Sequence, residues 1–136
     1  MGSRVNNVLG YGYMMIRTST EVYYEEAEEL LTKGDLVQAC EKYYKAVEEA
    51  IKLLAFEYGL HDVIREAEEN GWDSKTLNDA VSELSKRLGD KIIDAWSSAV
   101  TLYTARKFLD EDLVELYRDS VKAIVEEAKR RSEGGS

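Results

Sequence analysis

At 136 residues the chain has room for one ordinary domain, large enough to bury a core without covalent staples. Apolar residues at 44% and charged residues at 33% exclude an intrinsically disordered chain, and a net charge of −9 disfavours a nucleic-acid backbone as the main partner. Cys40 is the only cysteine, which excludes an intrachain disulfide and suits a reducing, cytoplasmic setting.

The predicted elements, taken in chain order, are all helices. Residues 1–19 stand apart as a tail. Asn6, Asn7, Gly10 and Gly12 interrupt any helical pattern there, while Tyr11, Tyr13, Met14, Met15 and Ile16 gather apolar surface. Such a segment either folds back onto the rest of the chain or docks as an arm on a partner subunit. The helical bundle domain is expected over residues 20–132, with a disordered tail over 133–136.

The first helix is predicted from Glu21 to Lys33, with Thr20 as its N-cap and Tyr23, Ala27, Leu30 and Leu31 at helical spacing. Gly34 ends it, since glycine adopts the left-handed conformation of a C-cap without strain. Asp35 caps the second helix, and Gln38 completes a capping-box-like pair. Leu36, Cys40, Tyr43, Val47, Ala50 and Leu54 then recur in alternating steps of four and three, flanked by Val37, Tyr44 and Ile51. An apolar surface that wide marks a central helix with more than one neighbour. Gly59 stops it.

A short helix follows from Asp62 to Glu69, closed by Asn70 and Gly71, with Trp72 filling a gap in the bundle. Asp73 or Ser74 caps the next, which turns Leu77, Ala80, Val81, Leu84 and Leu88 inward. Gly89 closes that helix, and Asp90 caps another whose Ile92, Trp96, Ala99 and Tyr103 face inward. Asp110 opens the last helix, whose seam is Leu113, Tyr117, Val121, Ile124 and Ala128. Lys129, Arg130 and Arg131 lie at its C-terminal end, where the helix dipole favours cations. Short loops make sequential helices antiparallel. The expected fold class is therefore all-α, an antiparallel helical bundle of four to five main helices plus one short one.

Few residues carry chemistry. A carboxylate-bridged metal site in a bundle needs paired Glu-x-x-His motifs, and one histidine, His61, cannot supply two. Glu57 lies four residues before His61, but Gly59 interrupts the helix between them. A Ser–His–Asp arrangement would also depend on His61 alone, with Asp62 badly placed to orient it, so His61 reads as a capping or surface residue. Nothing resembles a phosphate-cradling glycine loop, and no cofactor is expected. Cys40 falls on the core-facing row and reads as a small, inert apolar side chain. The polar groups left as candidates for a cleft are Glu57, His61, Arg65, Tyr103 and Arg106. The nine tyrosines admit two readings, core packing or a self-association surface, because the ring buries area while the hydroxyl stays wet. No apolar run approaches the roughly 18 residues that span a bilayer, so no membrane is expected.

Two resemblances bear on residues 27–47. Gly34, Asp35, Ala39, Tyr44 and Ala46 fit one tetratricopeptide hairpin, but such arrays stack about three repeats of about 34 residues, and no second copy follows. The runs Glu26-Ala27-Glu28-Glu29-Leu30-Leu31 and Lys33-Gly34-Asp35-Leu36-Val37-Gln38-Ala39-Cys40-Glu41-Lys42, the stretch from Ala46 to Ala55, and the later Trp72 resemble the archaeal PaREP family, placed with HEPN-like helical bundles. That resemblance implies a helical bundle, often paired into dimers. It also brings in a group that includes ribonucleases with an arginine followed a few residues on by a histidine. Here no arginine precedes His61 in that way, and the late stretch reads Leu102-Tyr103-Thr104-Ala105-Arg106-Lys107-Phe108. The expected function is a protein-interaction or structural module acting as a homodimer, or binding another protein. The alternative is a degenerate HEPN-like ribonuclease or RNA-binding relative.

Overall fold

Helix α2, Leu36–Glu57, holds the molecule together by touching every other helix. The computed structural model describes residues 18–134, so the apolar cluster Tyr11 to Ile16 lies outside the described residues. The other helices are α1 (Ser19–Thr32), α3 (His61–Asn70), α4 (Ser74–Leu88), α5 (Asp90–Thr104) and α6 (Glu111–Ser132), and no strand occurs among the described residues. The all-α fold read from the sequence is thus the fold observed.

Contacts along α2 fix the direction of its partners. The α1–α2 hairpin turns at Gly34, whose φ of 83° requires glycine, and Asp35 accepts from the Gln38 amide at 3.2 Å. Tyr44 meets Trp96 and Tyr103, and Glu41 earlier on α2 pairs with Arg106 just past the end of α5, so α5 runs antiparallel to α2. Arg118 lies near Glu28, level with Tyr43, while Arg131 lies over Tyr58, so α6 runs parallel to α2. Sequential helices alternate in direction, as short loops dictate, and the α2–α6 pair is parallel because α3, α4 and α5 intervene.

Alanines explain how one helix accommodates so many neighbours. Ala39, Ala46, Ala50 and Ala55 are fully buried on α2 and let other backbones approach closely, while Tyr43, Val47, Ile51 and Leu54 fill the space between. Two polar joints complete the core. The Tyr43 hydroxyl donates to Glu28, whose carboxylate also lies 3.6 Å from Arg118, joining α2, α1 and α6. Glu127 on α6 is buried with Lys91 of α5 at 3.2 Å and Arg130 of its own helix. Burial alone would raise the Glu127 carboxyl, yet hydrogen bonds from Arg130 and Lys91 hold it below the usual carboxylate range.

Several expectations shift in detail. The cap of α1 is Thr18, whose hydroxyl accepts from the Glu21 amide while Glu21 reaches back to the Thr18 amide. Thr20 is instead buried, and its hydroxyl donates to the Ala46 carbonyl of α2 at 2.6 Å. Gly89, not Asp90, is the N-cap of α5, and it offers no side-chain acceptor. On α5 the inward row is Ile92, Ala95, Ala99 and Leu102; Trp96 sits half-buried at the rim and Tyr103 is exposed. On α6, Val114 is buried and Leu113 exposed. At the C-terminus, Glu133 caps α6 and the Gly134 amide donates to the Arg131 carbonyl.

Replacing Thr20 with Val keeps the shape but removes the bond to the Ala46 carbonyl, which retains its place in the α2 ladder. A loss of about 0.5–1.5 kcal/mol is expected in chemical denaturation. A second expectation concerns alkaline pH. Burial, with Glu28 adding to it, pushes the Tyr24 hydroxyl up to about 12, and burial drives Tyr43 further in the same direction. Both rings fold neutral, so their contribution is intact below the ordinary value of 10.0 and is lost as pH climbs from there towards about 12. Denaturation midpoints of the native chain should fall over that window, and Tyr43→Phe should make the fall shallower.

Candidate functional site

The five polar residues singled out in the sequence separate into two places. Tyr103 and Arg106, at the end of α5, meet Tyr44 and Glu41 in the first half of α2. His61 and Arg65 belong to α3, which begins after α2 has ended, and Glu57 is the exposed last residue of α2. Arg106 and His61 therefore lie at opposite ends of the bundle and cannot act on one atom.

At the first place the side chains form a ladder. Trp96 and Tyr44 have ring centroids 5.7 Å apart, Tyr44 and Tyr103 4.8 Å, and the Arg106 guanidinium lies 4.3 Å above the Tyr103 ring. The ladder is held from outside: Trp96 donates to Asn78 at 2.8 Å, and Arg106 meets Glu41 at 2.9 Å and donates to the Tyr103 carbonyl at 2.7 Å. Beside it runs the outer face of α5, where Ile93, Ser97, Val100, Tyr103 and Thr104 follow at helical spacing. No residue from Ala95 to Ala105 is charged, in a chain where one residue in three is.

At the second place α3 and α4 leave a groove of about 320 Å³, with His61, Asp62, Glu66, Asp79, Ser82 and Glu83 around a floor of Leu60 and Val63. Its charges are already engaged. Lys75 bridges Glu66 at 3.0 Å and Asp79 at 2.8 Å, and Arg65 pairs with Asp62 at 3.2 Å. Among the described residues no three histidine, cysteine, aspartate or glutamate side chains are placed to hold a metal ion. No described helix is long and apolar enough to cross a membrane.

The sequence missed Glu41 and Trp96 as parts of the ladder. Glu41 carries no sequence signal, because its partner Arg106 lies far along the chain, on the other side of three helices. Trp96 could have been found, since a bulky aromatic four residues from Ile92 and seven from Tyr103 fits a rim as well as a core.

The family model of the archaeal PaREP1/PaREP8 family matches residues 16–129. The chain belongs to the archaeal PaREP1/PaREP8 family. Its fold is similar to a crystal structure of a Sulfolobus solfataricus protein, with a TM-score of 0.82 and 45% identity over 87% of this chain and 99% of that one. A solution structure of the same structural-genomics target gives a TM-score of 0.78 and 46% identity, over 87% of this chain and 94% of that one. None of the curated proteins matches.

Cys40 in this PaREP1/PaREP8 chain is no nucleophile. It is fully buried on α2, and burial pushes its thiol up to about 11 despite the nearby Arg106. The folded protein should resist a thiol-reactive disulfide reagent at pH 8 and react fully once denatured; prompt labelling in the folded state would contradict its placement.

Proposed function

We propose that the chain is a protein-interaction module of HEPN-like form that acts as a homodimer through the outer face of α5. The observation that supports this reading is the uncharged stripe on that face, edged by the aromatic ladder, on an otherwise highly charged surface. Aromatic and arginine side chains around a core without charge are the composition of interfaces.

The ends of the stripe favour a second copy over an unrelated partner. Asp90 lies at the N-terminal end and Lys107 just past the C-terminal end; both are exposed and neither has a partner among the described residues. Two α5 helices packed antiparallel across a two-fold axis between Ser97 and Val100 set each Asp90 against the other copy's Lys107. The same register sets Ile93 against Thr104 and Ser97 against Val100. The small side chains at the axis permit close approach, and the interface is self-complementary, as a two-fold requires.

Sedimentation at about 10 µM should show a dimer, since an interface worth about −8 kcal/mol is well populated there. Val100→Glu places two carboxylates near the axis and should return a monomer with an unchanged helical circular-dichroism spectrum. A monomeric native chain at that concentration would sink the proposal.

A further inference from the structure

Eight large apolar side chains are exposed among the described residues, and five of them belong to α5, α6 and the turn between: Ile93, Tyr103, Phe108, Leu113 and Leu116. Leu116 is 69% exposed. It is part of a second uncharged row. Leu113, Leu116, Ser120 and Ala123 follow on α6 at steps of three, four and three, so they share one face. Between them the chain carries Glu115, Arg118, Asp119 and Lys122.

The ion pair of Lys91 with Glu127 places this row. α5 runs antiparallel to α2 and α6 parallel to it, so α5 and α6 are antiparallel to each other, and the 3.2 Å contact of Lys91 with Glu127 sets their levels. Leu116 lies eleven residues before Glu127, and eleven residues is close to three full turns. Leu116 therefore falls on the same side of α6 as Glu127, the side next to α5. It is level with Leu102, eleven residues after Lys91. Leu102 is buried and Leu116 exposed, so the row flanks the outer face of α5. The opposite flank of α6 is taken by α1, through Arg118 and Glu28.

The α5 stripe is narrow for a contact between two copies. Interfaces of stable complexes engage roughly 20–30 residues a side and bury about 800 Å² per partner. Ile93, Ser97, Val100, Tyr103 and Thr104 supply only part of that, with the aromatic ladder at one edge. The α6 row lies at the other edge.

We infer that Leu113, Leu116, Ser120 and Ala123 form the second strip of the contact between copies of this chain, with Leu116 seated on the other copy's Ala123. The inference rests on the α5 dimer proposed above. A two-fold that sets Ser97 against Val100 keeps both α6 helices on the same side of the paired α5 helices, antiparallel and facing each other. With levels taken from Lys91 and Glu127, the axis passes between Asp119 and Ser120 and sets Leu116 against the other copy's Ala123. A large side chain meets a small one, and the contact occurs twice. The register is fixed by charges at the ends of α5, so the fit of leucine to alanine on α6 is independent support.

Sedimentation equilibrium of the full chain reads the dimer Kd. Leu116→Lys and Ala123→Glu should each raise it by about tenfold or more, because each places an unpaired charge in the contact. The double variant sets opposite charges against each other across the axis and should return Kd to within about threefold of the native value. Within one copy the two positions lie two turns apart, about 10 Å along the helix, so rescue reports a contact between copies. Circular dichroism and thermal melts establish that each variant is folded. Unchanged Kd in both folded single variants, with Val100→Glu monomeric, overturns this inference and leaves the α5 contact standing. Weakening in the single variants without rescue in the double one also overturns it. A monomeric native chain, or a dimer that survives Val100→Glu, removes the α5 reading and this inference with it.

Discussion

Everything in this fold depends on α2 burying apolar side chains around most of its circumference. A helix with one apolar stripe needs one neighbour; α2 has buried residues at nearly every second position from Ala39 to Ala55 and needs several. α1 is supplied by the adjacent hairpin. α6 can reach α2 only after the chain has run down α3, up α4 and down α5, and it arrives parallel to α2 as a result. The polar joint of Tyr43, Glu28 and Arg118 sits where α1, α2 and α6 converge. It fixes how these helices are set relative to one another, because a buried hydroxyl and a half-buried carboxylate are costly unless they meet.

With α2 enclosed, the surfaces left over become informative. The chain has an excess of carboxylates, so a surface without charge is an exception. The outer face of α5 is the uncharged exception. The α5 helix buries one side against α2, α4 and α6, and from Ala95 onward its opposite side carries serine, threonine, valine and aromatics where a solvent-facing helix would carry lysine and glutamate.

Local signals made much of the fold legible in advance. Gly34 with Asp35, Asp73 and Asp110 mark helix boundaries through the chemistry of one turn, and the central role of α2 follows from its double apolar row. Phase within a helix was harder to read. Ile92, Trp96, Ala99 and Tyr103 obey helical spacing as well as Ile92, Ala95, Ala99 and Leu102 do, and bulky aromatics draw the inward assignment away from alanine. The structure chose alanine, because α5 packs closely on its neighbours and has no room for rings at those positions. Thr20 was mistaken for a cap because it precedes the acidic run directly, whereas the reciprocal hydrogen bonds of a capping box belong to Thr18 and Glu21. Among the five candidate polar residues, Tyr103 and Arg106 stack on each other, while His61 and Arg65 lie one turn apart on α3. Glu41 and Tyr44, the partners of Arg106 and Tyr103, lie some sixty residues earlier, and pairings over such a separation exist only once the helices have packed.

The central claim is that two copies meet along α5. Cys40 is buried, so a cysteine placed at Ser97 would be the only accessible thiol among the described residues. Treated with a short bismaleimide, the Ser97→Cys protein should form a covalent dimer rapidly, while Glu68→Cys on the distant α3 helix should remain monomeric on a denaturing gel. Equal and slow cross-linking at both positions would contradict the account.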